Sequence, residues 1–168
     1  MSEPWEPLPI GPHTEAAVLA LNNAHVVELS CLGAEQLQSL IAQAFYARRI
    51  GAVDALLLAF DQAAQYDSPN YLWFRERYPR FVYIDRVVVE PLARRRGYAR
   101  LLYADLLLHA RRAGHHLVGC EVNSDPPNPA SDAFHAALQF AEIGTASIHG
   151  GAKTVRYLAR TIEPATDR

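Results

Sequence analysis

The run Arg94-Arg95-Arg96-Gly97-Tyr98-Ala99-Arg100 gathers four guanidinium groups around one glycine. Guanidinium is planar and permanently charged, and it meets phosphate oxygens through paired N–H bonds. Gly97 lets a backbone come close to a ligand, and Ala99 keeps the next approach small. The run offers a place for a phosphorylated ligand; taken alone, it also reads as a solvated basic loop. Two carboxylates sit in apolar surroundings, Asp85 within FVYIDRVVV and Glu121 within LVGCEVN. A carboxylate there costs free energy unless it is paired or used. Each is a candidate proton acceptor, and ion pairing (Asp85 with Arg86 or Arg156) is the plainer alternative. His135 titrates near neutrality and can move a proton, or it is an ordinary helix-surface histidine.

The elements that must position these groups decide between the readings. Phe81 to Val89 is aromatic and β-branched and reads as a buried strand, which Pro91 ends. Ala99, Leu102, Leu106 and Ala110 fall at helical spacing, and Gly114 stops that helix. The glycine turn therefore stands at a helix N-terminus, where N–H groups lack partners and the macrodipole is positive. Main-chain N–H groups from Arg95 to Arg100 are the expected phosphate donors, with the arginine side chains serving an outer phosphate. His116 to Val122 reads as the next strand, parallel to the first across a right-handed crossover. Pro126, Pro127 and Pro129 stop its ladder after Asn123. Ala130 to Leu138 is an expected helix, and Phe140 to Ile148 with Thr154 to Ala159 an expected hairpin around Gly150-Gly151. Upstream, the reading is a strand over His25 to Leu32, a helix over Ala34 to Ala44, a hairpin from Phe45 to Phe60, and a helix over Tyr71 to Tyr78. The sum is an α/β domain with a mixed, mainly antiparallel sheet. Expected bounds are a proline-rich N-terminal arm over 1–22, extended over its first thirteen residues, the domain over 23–162 and a tail over 163–168.

Arg94-x-x-Gly97-x-Ala99 after Val87-x-Val89-x-Pro91 resembles the acetyl-CoA-binding motif of the GCN5-related N-acetyltransferase (GNAT) superfamily. Cys120-Glu121-Val122-Asn123 and the stretch from Asn128 to Phe140 resemble its second block, and both are similar to stretches of a bacterial subgroup. Gln139 stands where the family usually has glycine. The resemblance covers roughly residues 83–157. It implies a sheet flanked by helices whose parallel strand pair splays apart to admit a pantetheine arm. It further implies acetyl-CoA as co-substrate, bound by the backbone of Val87, Val88 and Val89, by the turn from Arg94 to Arg100, and by Asn123, Asn128, Ser131 and Phe134. For Asn128 an Asx cap is an equal reading. Asp85 matches the position of a family general base, with Glu121 as its rival. His135 stands where a tyrosine protonates the departing thiolate. The implied reaction is direct attack of a primary amine, on a small molecule or a protein, with the Val89 N–H meeting the oxyanion. A non-catalytic acyl-CoA-binding regulatory module is the alternative. Many superfamily members are dimers, so a homodimer is open.

Composition sets the remaining bounds. A length of 168 residues with 50% hydrophobic content suits one domain. Net charge of −2 and the lack of interleaved exposed aromatics near Arg94 to Arg100 argue against RNA or other nucleic acid. No apolar run approaches the ~20 residues of a membrane span, and the first residues do not read as a signal peptide, so a cytoplasmic place is expected. Cys31 and Cys120 both fall in expected strands and read as buried free thiols. The histidines show no ligand spacing, so no metal is expected. Tyr71, Trp73, Phe74 and Tyr78 read as a core helix or as the wall of an acceptor pocket.

Overall fold

The computed structural model describes residues 5–25 and 31–163. Among them the strands are Leu8–Pro9 (β1), Tyr46–Ile50 (β2), Ala55–Asp61 (β3), Val82–Val89 (β4), Leu117–Asp125 (β5), Ala141–Ile148 (β6) and Lys153–Thr161 (β7). The helices are Glu15–Asn23 (α1), Ala34–Gln43 (α2), Pro69–Arg77 (α3), Tyr98–Arg112 (α4) and Pro129–Ala137 (α5). The strands form one sheet in the order β1-β2-β3-β4-β5-β7-β6. β4 and β5 are parallel, with Val82 opposite Val118 and Tyr83 opposite Gly119. The β1–β2, β2–β3, β5–β7 and β6–β7 pairs are antiparallel. This is the mixed, mainly antiparallel sheet expected from the sequence. No helix among the described residues is long and apolar enough to cross a membrane.

Packing divides the chain into two units, Met1–Ala64 with Ile84–His109, and Gln65–Tyr83 with Ala110–Arg168. In the first, β3 is buried from Ala55 to Phe60, as a central strand requires. Ile10, Val18, Leu21, Leu37, Leu56, Leu58 and Val88 pack into one apolar cluster. Within the expected N-terminal arm, α1 follows the proline-rich stretch and buries Val18 and Leu21, as apolar spacing over residues 15–23 allows. α4 is tied to β2 by Asp105, which accepts from the Tyr46 hydroxyl at 2.7 Å and pairs with Arg48 at 3.3 Å. The strand expected over His25 to Leu32 lies mostly outside the described residues. Cys31 is exposed and outside any strand, against expectation, while Cys120 is buried. The chain there is held by side-chain bonds instead, Leu32 N donating to Asn23 Oδ1 and Asn23 Nδ2 to Leu32 O.

The second unit has an aromatic core. Phe74 of α3 lies against Phe81 and Tyr83, with ring centroids 5.9 and 5.6 Å away. Gly119 makes that possible, because a Cβ there would collide with the Phe74 ring. Trp73 stacks on Tyr157 at 4.1 Å, and the Arg77 guanidinium lies 4.2 Å from the indole centroid. β5 runs two residues past Asn123, correcting the expected strand end. Its ladder with β7 survives to Asp125 through a shift in register. α5 ends in a Schellman turn. Phe140 N donates to His135 O, Gln139 N donates to Ala136 O, and Gln139 is left-handed at φ 65°. The glutamine thus fills the role for which the family uses glycine.

Candidate functional site

In the first unit the site grows from the end of β4. Alternation puts Arg86 and Val88 on the buried face, and Asp85, Val87 and Val89 on the other, where they are half-buried. Val88 is the core side chain here, whereas Val87 and Val89 are half-buried. Pro91–Ala93 forms a short 3-10 turn whose Glu90 carboxylate accepts from Leu92 N at 2.7 Å. Arg94, Arg95, Arg96 and Gly97 follow, all exposed. Arg95 and Gly97 are both left-handed, at φ 67° and 77°. A Cβ on Gly97 would meet nothing within 4 Å, so the turn opens onto free space. α4 then starts, with Leu101 N donating to Gly97 O at 3.0 Å, and Ala99 and Arg100 lie in its first turn. Tyr98, its first residue, lies 5.4 Å from the Trp5 ring. Its hydroxyl is buried and has no hydrogen-bond partner among the described residues. A left-handed glycine, exposed arginines and a helix N-terminus together can hold a diphosphate.

Asp85 is occupied. Its carboxylate accepts from Arg86 Nε at 2.7 Å, and both side chains are buried. Arg86 Nη1 reaches Asn22 Oδ1 at 2.8 Å.

In the second unit Glu121 is the notable carboxylate. It is half-buried on β5 and accepts from the Tyr83 hydroxyl at 2.6 Å. Tyr157 stands opposite it in the β5–β7 register and donates to Asn70 Oδ1 at 2.9 Å. Burial above all, then the Glu121 charge, pushes the Tyr157 phenol up to about 12, with Arg77 opposing. Burial likewise pushes the Cys120 thiol well up, with Glu121 adding to it. Asn123 lies two residues beyond Glu121, opposite Val155, and is half-buried. Sequence reasoning missed Tyr83, Tyr157 and Asn70. Two-residue alternation from Asp85 already put Tyr83 on the same face, whereas Tyr157 needed the register.

α5 carries the remaining candidates. Asn128 is its N-cap, Oδ1 accepting from Ser131 N at 3.2 Å, so its amide is used structurally. His135 is buried, edge-on to Phe134 and Phe140. Its Nδ1 lies 2.8 Å from Ser131 O. A carbonyl only accepts, so Nδ1 carries the proton and the neutral ring has none on Nε2. Burial is the main influence on this imidazole and lowers its pKa, against the Ser131 carbonyl and Asp132. A proton for a thiolate would require the imidazolium that burial opposes. Among the described residues no group of three or more His, Cys, Asp or Glu side chains could hold a metal.

Comparison with known proteins agrees with this layout. Residues 59–140 match the Acetyltransferase (GNAT) family model, spanning β4, the arginine turn, α4, β5 and α5. No curated protein matches the chain. Ard1 from Thermoplasma volcanium superposes with a TM-score of 0.73 at 14% identity, covering 95% of this chain and 99% of that one. The ribosomal-protein-S18-alanine N-acetyltransferase from Escherichia coli gives 0.69 at 16% identity, covering 96% of each chain. The yncA protein of Salmonella typhimurium, solved with its cofactor acetyl-CoA, gives 0.69 at 16% identity, covering 98% of each. At such identities these structures speak for the fold, and the family match joins that fold to the glycine turn: residues 59–140 of the chain match the GNAT acetyltransferase family.

Proposed function

We propose that this protein transfers the acetyl group of acetyl-CoA to a primary amine by direct attack. The observation that carries the reading is the order of β4, a left-handed Gly97 facing open space, exposed arginines and the N-terminus of α4. The main-chain N–H groups from Arg95 to Arg100 hold the diphosphate, and the arginine side chains meet the outer phosphate. The backbone of Val87 to Val89 serves the pantetheine amides, and the Val89 N–H meets the oxyanion of the tetrahedral intermediate. Glu121 takes the proton that the attacking ammonium must lose, directly or through water. Asp85 serves Arg86 instead, and His135 serves the packing of α5. Cys120 is kept as a neutral thiol, which favours direct transfer over an acyl-enzyme.

Calorimetry with acetyl-CoA tests the first half of the proposal. Thiol release with ethanolamine, spermidine, lysine and a peptide with an N-terminal alanine tests the second. Absence of acetyl-CoA binding refutes both halves. Binding without thiol release from any of the four amines points to a non-catalytic acyl-CoA-binding module.

A further inference from the structure

We propose that Tyr83 is the positioning residue of Glu121, holding its carboxylate ionised and aimed for the acceptor ammonium. The inference rests on the acetyltransferase reading above. Tyr83 donates to Glu121 Oε2 at 2.6 Å, within the short range of O–H···O⁻ bonds. The bond sits at a particular place. Tyr83 opposite Gly119 is the second of the two register pairs of the parallel ladder. Glu121 is the next residue on the same face of β5, so the bond links the two strands one step past that pair.

Tyr83 cannot easily turn away. It is 1% exposed, with the Tyr71 ring 6.0 Å and the Phe74 ring 5.6 Å from its own. Phe74 is in turn seated over Gly119. A donor locked in this way loses little entropy when it orders its acceptor. The other groups near Glu121 do different work. From β7, Tyr157 faces it in register but spends its proton on Asn70. From α3, Arg77 acts on Tyr157 with the opposite sign to Glu121. Partial burial penalises an ionised carboxylate, and a hydrogen bond donated to the ionised form offsets that penalty. In the reaction an N–H bond of the acceptor ammonium breaks and its proton joins Glu121, which later releases it to solvent. The freed electron pair forms the C–N bond while the carbonyl pair moves onto oxygen. The return of that pair breaks the C–S bond and expels the CoA thiolate, which takes the second proton of the attacking nitrogen through water. Tyr83 keeps its own proton throughout.

The test compares Tyr83→Phe with wild type by carbon-13 NMR titration of glutamate carboxyls, the Glu121 signal being the one missing in Glu121→Gln. Removing one oxygen leaves the ring packing in place, which the melting temperature checks. The Glu121 midpoint should rise by about one pH unit in Tyr83→Phe, the size of one lost charge-assisted bond. The acid limb of thiol release, with whichever of the four amines reacts fastest, should move up by the same amount. Acetyl-CoA affinity should stay unchanged. A Glu121 midpoint that does not move overturns the proposal, whatever the amines do. Absence of thiol release in the wild-type protein counts against the acetyltransferase reading instead, and the titration still decides the role of Tyr83.

Discussion

Asp85 and Arg86, consecutive residues of β4, pair with one another at 2.7 Å although strand alternation sends their side chains toward opposite faces. Arg86 Nη1 also donates to Asn22 Oδ1 of α1 at 2.8 Å. Buried charges of opposite sign are compensated while both are present, and removing one leaves the other stranded. Asp85 is therefore needed by the fold whatever else it does.

The first prediction separates the two carboxylates. Asp85→Ala should cost about 3–5 kcal/mol in urea unfolding, because the buried Arg86 loses its carboxylate. Glu121→Gln should leave stability within about 1 kcal/mol, since the amide oxygen can still accept from Tyr83. It should lower thiol release by roughly a hundredfold or more, the usual worth of a general base. The reverse pattern, with Asp85→Ala stable but inactive, would return the base to β4.

Gly97 gives the second prediction. At φ 77° an L side chain is strained by about 1–2 kcal/mol. Nothing within 4 Å in the protein would touch the new Cβ, so any clash must come from a ligand. Gly97→Val should lower acetyl-CoA affinity by more than tenfold in calorimetry while far-UV circular dichroism stays that of the wild type. Equal affinity would remove the diphosphate from this turn.

The third prediction concerns Gln139. A glutamine at φ 65° carries the left-handed penalty that a glycine avoids. Gln139→Gly should therefore stabilise the protein by roughly 1 kcal/mol, or a few degrees in melting temperature. Gln139→Ala should give no such gain. A lower melting temperature for the glycine variant would mean that the glutamine side chain contributes more than its backbone costs.

Gln139 also shows what could be read in advance. The helix expected over Ala130 to Leu138 and found over Pro129–Ala137 was visible, and its start most clearly, because Asn128, Pro129 and the apolar spacing act within one turn. That a glutamine adopts the glycine conformation was not, because the Schellman bonds and the burial of Phe140 impose it from outside the local sequence. The same division runs through the site. The arginine turn was legible, since strand, turn and helix start are contiguous. The pairing of Glu121 with Tyr83 joins residues 38 positions apart, and only the strand register brings them together. Asp85 looked catalytic because its family position was readable, whereas the Arg86–Asn22 contact that occupies it depends on where α1 packs.

The fourth prediction follows from His135. Its pKa is lowered in the folded protein, so the unfolded chain binds the proton more readily. The stability this histidine allows is complete above the unfolded value of 6.5 and declines as the pH falls below it. His135→Phe removes the proton site and should flatten the stability curve on that acid side. Urea unfolding at pH 7.5 and pH 5 would show a smaller difference between the two conditions for the variant than for the wild type. An equal difference would assign the acid sensitivity to other groups.

The last prediction sets two asparagines against each other. Asn128 spends its side-chain oxygen on Ser131 N at the start of α5. Removing such a cap costs about 1 kcal/mol of stability. Asn123 is not at a helix end; it lies in β5 two residues past Glu121, half-buried, on the face that also carries Glu121. Its amide can donate to one pantetheine amide and accept from another. Asn128→Ala should thus lower the melting temperature by a few degrees with acetyl-CoA affinity unchanged, whereas Asn123→Ala should keep the melting temperature and weaken acetyl-CoA by roughly three- to tenfold, as for one lost hydrogen bond. Both quantities are measured on both variants, by calorimetry and thermal unfolding. If Asn123→Ala lowers only the melting temperature, its amide belongs to the β5–β7 ladder and the pantetheine arm takes its bonds from β4 alone.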